Sequence, residues 1–71
     1  MKFEQFVQQA DIFYNDNHPH MRYGQSVMNV LYQIRPDLYE KIKGTDFDCF
    51  YDDSTVALTL NNLETRWETA Y

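Results

Sequence analysis

Only one cysteine, Cys49, stands in the 71 residues, so no intramolecular disulfide is available to staple a domain whose length already makes its core marginal. Stability has to come from packing. Glycine occurs twice and proline twice, and two glycines are too few to build a phosphate-cradling loop of the nucleotide-binding kind. No stretch approaches the roughly 20 consecutive apolar residues that a membrane-spanning helix needs. The start, Met1-Lys2-Phe3-Glu4-Gln5-Phe6, meets a glutamate and then paired glutamines before any apolar run of a secretory signal develops. These absences predict a cytoplasmic protein without membrane attachment. The passage from Met1 to Trp67-Glu68-Thr69-Ala70-Tyr71 without linker or tag reads as a whole small gene product. Basic residues are scarce as well, six Lys and Arg against eleven Asp and Glu, for a net charge of −5. A phosphate backbone is held mainly by Lys and Arg, so this balance argues against nucleic acid as the default partner.

Apolar residues make up 44% of the chain and aromatics 17%, with 24% charged, a composition that can offset the entropy of ordering and predicts one folded domain over residues 1–71. Phe3, Phe6, Val7, Ala10, Phe13 and Tyr14 recur at steps of three and four, opposite Glu4, Gln5, Gln8, Gln9, Asp11 and Asn15, which predicts a first amphipathic helix. Asn15-Asp16-Asn17-His18-Pro19-His20 gathers turn formers and predicts a turn there. A second helix then opens with Pro19 at its first position and His18 or Asn17 at the cap. Tyr23, Val27, Val30, Leu31 and Ile34, with Met28, carry its stripe until Arg35-Pro36 ends it. A short third helix has Pro36 at its start, Asp37 and Glu40 early, Lys41 and Lys43 late and Gly44 as its terminator, each suited to the helix dipole. Leu38, Tyr39 and Ile42 face inward on it.

Val56, Leu60, Leu63 and Trp67 keep helical spacing, whereas Val56, Leu58 and Leu60 also alternate with Thr55, Ala57 and Thr59 as a half-buried strand would. The helix is favoured, because a lone strand has no pairing partner in an otherwise helical chain. Asp53 or Ser54 is its expected cap. The expected fold is therefore all-α, a compact single-domain bundle of about four short helices, closing around Phe6, Phe13, Val27, Leu31, Leu60 and Trp67.

Between the third and fourth helices lies a connector with no basic residue, in which Asp46, Asp48, Asp52 and Asp53 surround Phe47, Cys49, Phe50 and Tyr51. Three readings compete. A hard cation could bind such carboxylates, but a calcium loop counted from Asp46 needs glycine at its sixth place and glutamate at its twelfth, where Tyr51 and Ala57 stand. Alternatively Phe47 and Phe50 plug the open end of the bundle, Asp46 closes a turn with Thr45, and Asp53 caps the last helix. Or Asp46, Phe47, Asp48, Phe50, Tyr51, Asp52 and Asp53 form a partner-binding surface, since an acidic patch studded with aromatics meets a basic site on another protein. Charge is unevenly distributed: Met1 to Lys43 holds five acids and five bases, while Gly44 to Tyr71 holds six acids and Arg66 alone. The whole net charge belongs to the second half.

Chemistry has no motif here. His18 and His20 flank Pro19 and could bind a transition metal or respond to pH, but such histidines more often cap a helix or sit in solvent. Cys49 between Asp48 and Phe50 has acids beside it, which hold a thiol protonated, so it reads as a structural cysteine rather than a nucleophile. No Ser-His-Asp arrangement and no paired-cysteine zinc spacing occurs, and no cofactor and no enzymatic activity is expected. Gly24 lies inside the second helix, where glycine costs about 1 kcal/mol relative to alanine, and the ordinary reason is close approach by another helix. Arg22 and Gln25 flank that contact, or Arg22 reaches toward the acidic connector.

Arg22-Tyr23-Gly24-Gln25, Asn29, Arg35-Pro36-Asp37-Leu38, Gly44-Thr45 and Asp48-Cys49-Phe50-Tyr51-Asp52-Asp53 together resemble a group of small uncharacterised bacteriophage and bacterial proteins that share an RYGQ segment and a GT…FYDD segment. The resemblance covers residues 22–53 and brings no activity with it. It implies an origin in a phage or mobile element, where small acidic proteins often bind a host factor. The expected function is thus a protein-interaction module docking a basic surface, in part by imitating nucleic acid. The alternative is a helix-turn-helix-like nucleic-acid contact through Arg22, Arg35, Lys41 and Lys43, with self-association as a way to present a basic face.

Overall fold

The computed structural model describes residues 1–68, and the chain forms four α-helices: α1 Phe3–Asn17, α2 Tyr23–Ile34, α3 Pro36–Ile42 and α4 Val56–Arg66, the last entered through a 3₁₀ turn at Asp53–Thr55. The fold is all-α, and residues 55–60 are helical rather than extended. Its hub is α2, against which α1, α3, α4 and the 3₁₀ turn all pack. Gly24, Ser26, Val27, Met28, Val30 and Leu31 are buried on that one helix, so its apolar stripe is wide enough to serve several neighbours rather than one.

The boundary between α1 and α2 differs from the sequence expectation. Helix α1 runs on through Asn15 and Asp16 to Asn17, whose side-chain amide donates back to the Phe13 carbonyl at 2.8 Å. A proline restricts only the residue before it, and His18 is the residue that turns extended, at φ −69° and ψ 140°. Pro19 does not open α2 either. That helix starts four residues later, where Gln25 accepts the Arg22 backbone N–H at 3.0 Å, half of a capping box. His18 and His20 therefore cap nothing in α2 and are exposed. At the other junctions the chain behaves as its residues dictate. Pro36 occupies the first turn of α3, and Gly44 follows the helix with φ +75°, a left-handed conformation that glycine adopts without strain.

The core comprises Phe6, Ala10, Val27, Met28, Val30, Leu31, Leu38, Ile42, Cys49, Leu63 and Trp67. Phe13 and Leu60, expected at its centre, are only half-buried at its margin, and Thr59 takes the inward place on α4. Thr59 is tolerated there because its hydroxyl donates to the Phe47 carbonyl at 2.5 Å, which satisfies a polar group that burial would otherwise penalise. Ser26 plays the same part between α1 and α2, donating to the Ala10 carbonyl at 2.6 Å. The two chain ends meet at Trp67, whose ring stacks on Phe6 with centroids 5.0 Å apart and whose indole N–H donates to the Met1 carbonyl at 2.8 Å. Arg35 closes this end: its guanidinium lies 5.0 Å above the Trp67 ring, donates to the Trp67 carbonyl at 2.9 Å and grips Asp37 with two bonds of 2.9 and 2.8 Å.

Since Leu31 is fully buried on the hub helix, Leu31→Ala should cost about 2–5 kcal/mol through lost transfer energy and the cavity left behind. Urea denaturation monitored by circular dichroism checks this, and an unchanged midpoint would remove α2 from the centre of the fold.

Candidate functional site

The connector, residues 44–53, is an irregular segment that owes its shape to its own carboxylates. Asp48 accepts the Gly44 N–H at 2.7 Å and the Phe50 N–H at 2.9 Å, closing the loop across its base. Thr45, rather than Asp46, completes the first turn by donating to the Ile42 carbonyl at 2.6 Å and accepting the Phe47 N–H at 3.2 Å. Asp52 accepts both the N–H and the hydroxyl of Ser54, at 3.0 and 2.6 Å, and so initiates the 3₁₀ turn that leads into α4. Neither Asp53 nor Ser54 caps α4 as expected: the side-chain cap comes one residue earlier, from Asp52 to the 3₁₀ turn, and Thr55 at the N-cap of α4 makes none. The reason is that Asp53 is needed elsewhere.

Asp53 reaches across to α2 and accepts the Gly24 N–H at 2.9 Å. Arg22, the residue at the N-cap of α2, has no oxygen in its side chain to serve that helix start. Asp53 supplies the acceptor from 29 residues away and places a carboxylate where the helix dipole favours one. Arg22 turns the other way, its guanidinium donating to the Phe50 carbonyl at 2.5 Å and lying 3.9 Å from Asp53. Gly24 is required because a Cβ there would stand 2.0 Å from the Cys49 carbonyl oxygen. The close approach is real, but it comes from the connector and not from another helix. Cys49 is buried beneath this contact, its thiol donating to the Gly24 carbonyl at 3.5 Å. Burial, with smaller contributions from the Asp48 and Asp53 charges, pushes its ionisation up, so it stays a thiol at neutral pH and packs as a small apolar group.

The seven residues expected to bind a partner thus divide. Asp48 and Asp53 hold backbone, and Phe47 and Phe50 are half-buried against the core. Asp46, Tyr51, Asp52 and, despite its bond to α2, Asp53 are exposed, and Tyr51 keeps 82% of its surface in solvent while its ring packs edge-on to Phe50 at 4.8 Å. Of the four cations that might have served nucleic acid, Arg22 and Arg35 are engaged as described, and Lys43 pairs with Glu40 at 3.0 Å and lies 5.8 Å from the Tyr39 ring centre. Lys41 is exposed. Among the described residues no group of three His, Cys, Asp or Glu side chains is placed to hold a metal ion. Tyr23, expected only as part of the apolar stripe of α2, donates to Asp11 at 2.5 Å, and burial followed by that bond raises its phenol ionisation well above the ordinary range. It is a strut between α1 and α2.

No family model, no curated protein and no solved structure matches this chain. The class defined by fold and surface is that of a small acidic all-α domain, and among its described residues no helix is long and apolar enough to cross a membrane.

Gly24→Ala would ordinarily favour a helix by up to about 1 kcal/mol. Here it should instead destabilise by roughly 1–3 kcal/mol, because a backbone carbonyl cannot yield as a side chain can. Thermal or urea unfolding decides the sign, and a stabilised variant would mean that the connector does not press on α2. Ser54 hydrogen bonding holds the Asp52 carboxyl below the usual aspartate range. Its turn therefore contributes stability fully above the unfolded value of about 3.9, and that contribution is lost as pH falls through the lower folded value. An NMR titration of the Ser54 amide should show its midpoint below that of an aspartate in a disordered peptide. A midpoint at or above that value would contradict the cap.

Proposed function

We propose that the protein is a non-enzymatic interaction module that docks a basic surface of a partner protein through the outward side of its connector. The supporting observation is Tyr51, 82% exposed at the tip of a loop whose backbone is fastened by Asp48, Asp52 and Asp53. A rigid amphipathic aromatic ring offers contact area at little ordering cost, and such residues are enriched among those that dominate binding energy. Asp46 and Asp52 flank it with negative charge in the half of the chain that holds all of the net charge, which steers and selects a basic counterpart. A cytoplasmic host factor met by a phage-encoded or mobile-element protein fits this chemistry. So does a partner whose basic groove otherwise holds nucleic acid.

The experiment must leave Asp48 and Asp53 alone, because replacing either would dismantle the loop along with its charge. The combination Asp46→Lys, Tyr51→Ala and Asp52→Asn alters the outward groups while keeping an oxygen acceptor for Ser54. Affinity capture from host lysate should retain a salt-sensitive, nuclease-resistant basic protein on the parent chain and lose it on the triple variant, with helicity unchanged by circular dichroism. Equal retention by the variant would overturn the proposal. Nuclease-sensitive capture would overturn it in favour of direct nucleic-acid contact.

A further inference from the structure

Beside the connector, a cavity of about 220 Å³ opens between α2, α3 and the loop, lined by Met28, Tyr39, Asp48, Phe50 and Tyr51. Three of those five residues are aromatic and one is a carboxylate. Among the described residues, Asp48 forms no ion pair with any Lys or Arg. Its two oxygens each accept one backbone N–H, from Phe50 and from Gly44. A carboxylate offers about four acceptor positions, so each oxygen retains capacity on a group whose position is already fixed.

We infer that this recess receives one arginine side chain of the basic partner, the guanidinium lying against the Tyr39, Phe50 and Tyr51 rings and donating to Asp48. The inference rests on the interaction-module reading and names the contact at its centre. A cation over an aromatic face is attracted by the ring quadrupole, more strongly when water is excluded. Arginine is preferred to lysine because its planar guanidinium stacks on a ring while its N–H groups still reach a carboxylate. The protein already holds one guanidinium in this manner: Arg35 lies over the Trp67 ring at 5.0 Å while its N–H groups grip Asp37. At Tyr39 a cation already stands near the ring, the Lys43 ammonium 5.8 Å from its centre.

A recess lined by Phe3, Glu4, Glu64, Thr65, Trp67 and Glu68 also joins aromatics to carboxylates, but its Trp67 ring already carries the Arg35 guanidinium. The one lined by Phe47, Leu58, Asn61, Asn62, Thr65 and Arg66 contains a cation and no carboxylate. The groove between α1 and α2 along Ile12, Phe13, Val30 and Ile34 is largely apolar, with Asp16 its one charged side chain.

The test is an NMR titration of the isotope-labelled full chain with the blocked tripeptide acetyl-Gly-Arg-Gly-amide, set against its lysine and citrulline counterparts. The arginine peptide should produce saturable shifts centred on the amides of Asp48, Phe50 and Tyr51. The neutral citrulline peptide should produce none, and the lysine peptide should bind more weakly. Tyr51→Leu, at an exposed position where folding is not at stake, should weaken the arginine peptide about fivefold, and Tyr39→Leu should do likewise. Equal binding of citrulline or of lysine, or unchanged affinity in both leucine variants, would overturn the inference. Shifts confined to Asp46 and Asp52 and indifferent to Tyr51 would overturn the recess while supporting the acidic docking surface. An absence of shifts at every connector amide would overturn the recess, leaving the docking surface to be judged by the capture experiment.

Discussion

The connector and the first turn of α2 meet backbone to backbone at Gly24, and most of the structure follows from that contact. A helix start leaves N–H groups without partners, and α2 begins at an arginine that has no acceptor to offer. Asp53 meets that need from the far side of the sequence. Its carboxylate can reach the Gly24 N–H only if the loop carrying it lies flat on the helix, and only a residue without a Cβ lets the Cys49 carbonyl come so close. Once the loop is seated, Cys49 is buried, Arg22 can clasp the Phe50 carbonyl, and Phe47 and Phe50 are pressed against the core. Entry into α4 is then set by Asp52, the next carboxylate back along the chain.

The same contact explains how so small a domain holds a long irregular segment without an intramolecular disulfide. Four carboxylates in a short loop would repel one another if all faced solvent. Three of them accept N–H groups, Asp48 within the loop, Asp52 in the 3₁₀ turn and Asp53 from α2, the last two while remaining exposed. The negative charge is thereby part of the loop's internal hydrogen bonding, and its surplus faces outward around Tyr51. Stability and binding capacity draw on the same residues but not on the same atoms. For that reason the surface is better altered at Asp46 and Tyr51 than at Asp48 and Asp53.

A second anchor lies at the other end of the bundle, where Trp67 joins α4 to the chain start and to the α2–α3 junction. Its ring stacks on Phe6, its indole N–H reaches Met1, and Arg35 covers it while bound to Asp37. With α2 as hub, one anchor secures each end of that helix. Two of the five basic residues of the first half, Arg22 and Arg35, are engaged in these tasks, so a count of Lys and Arg overstates the charge available to a phosphate backbone.

Helical periodicity made the four helices legible, together with the stop at Arg35-Pro36, the Gly44 terminator and the burial of Phe6, Val27, Leu31 and Trp67. These depend on local propensity and on a stripe that must be buried somewhere, which any chain order reveals. The start of α2 was also written locally, in Gln25 three residues after Arg22, but the more conspicuous Pro19 drew attention away from it. Asn17 closing α1 on Phe13 was a similar local signal. Asp48 and Asp52 likewise accept N–H groups two residues on, a local Asx pattern, whereas no local rule could assign Asp53. Whether Asp53 caps its own helix or another depends on where the loop lies, and that is decided by a contact 29 residues apart. The sequence by itself determined the all-α class, the single thiol and the concentration of acid after Lys43. The tertiary structure alone decided that Asp53 serves α2 rather than its own helix, because a hydrogen-bond partner distant in sequence is chosen by packing.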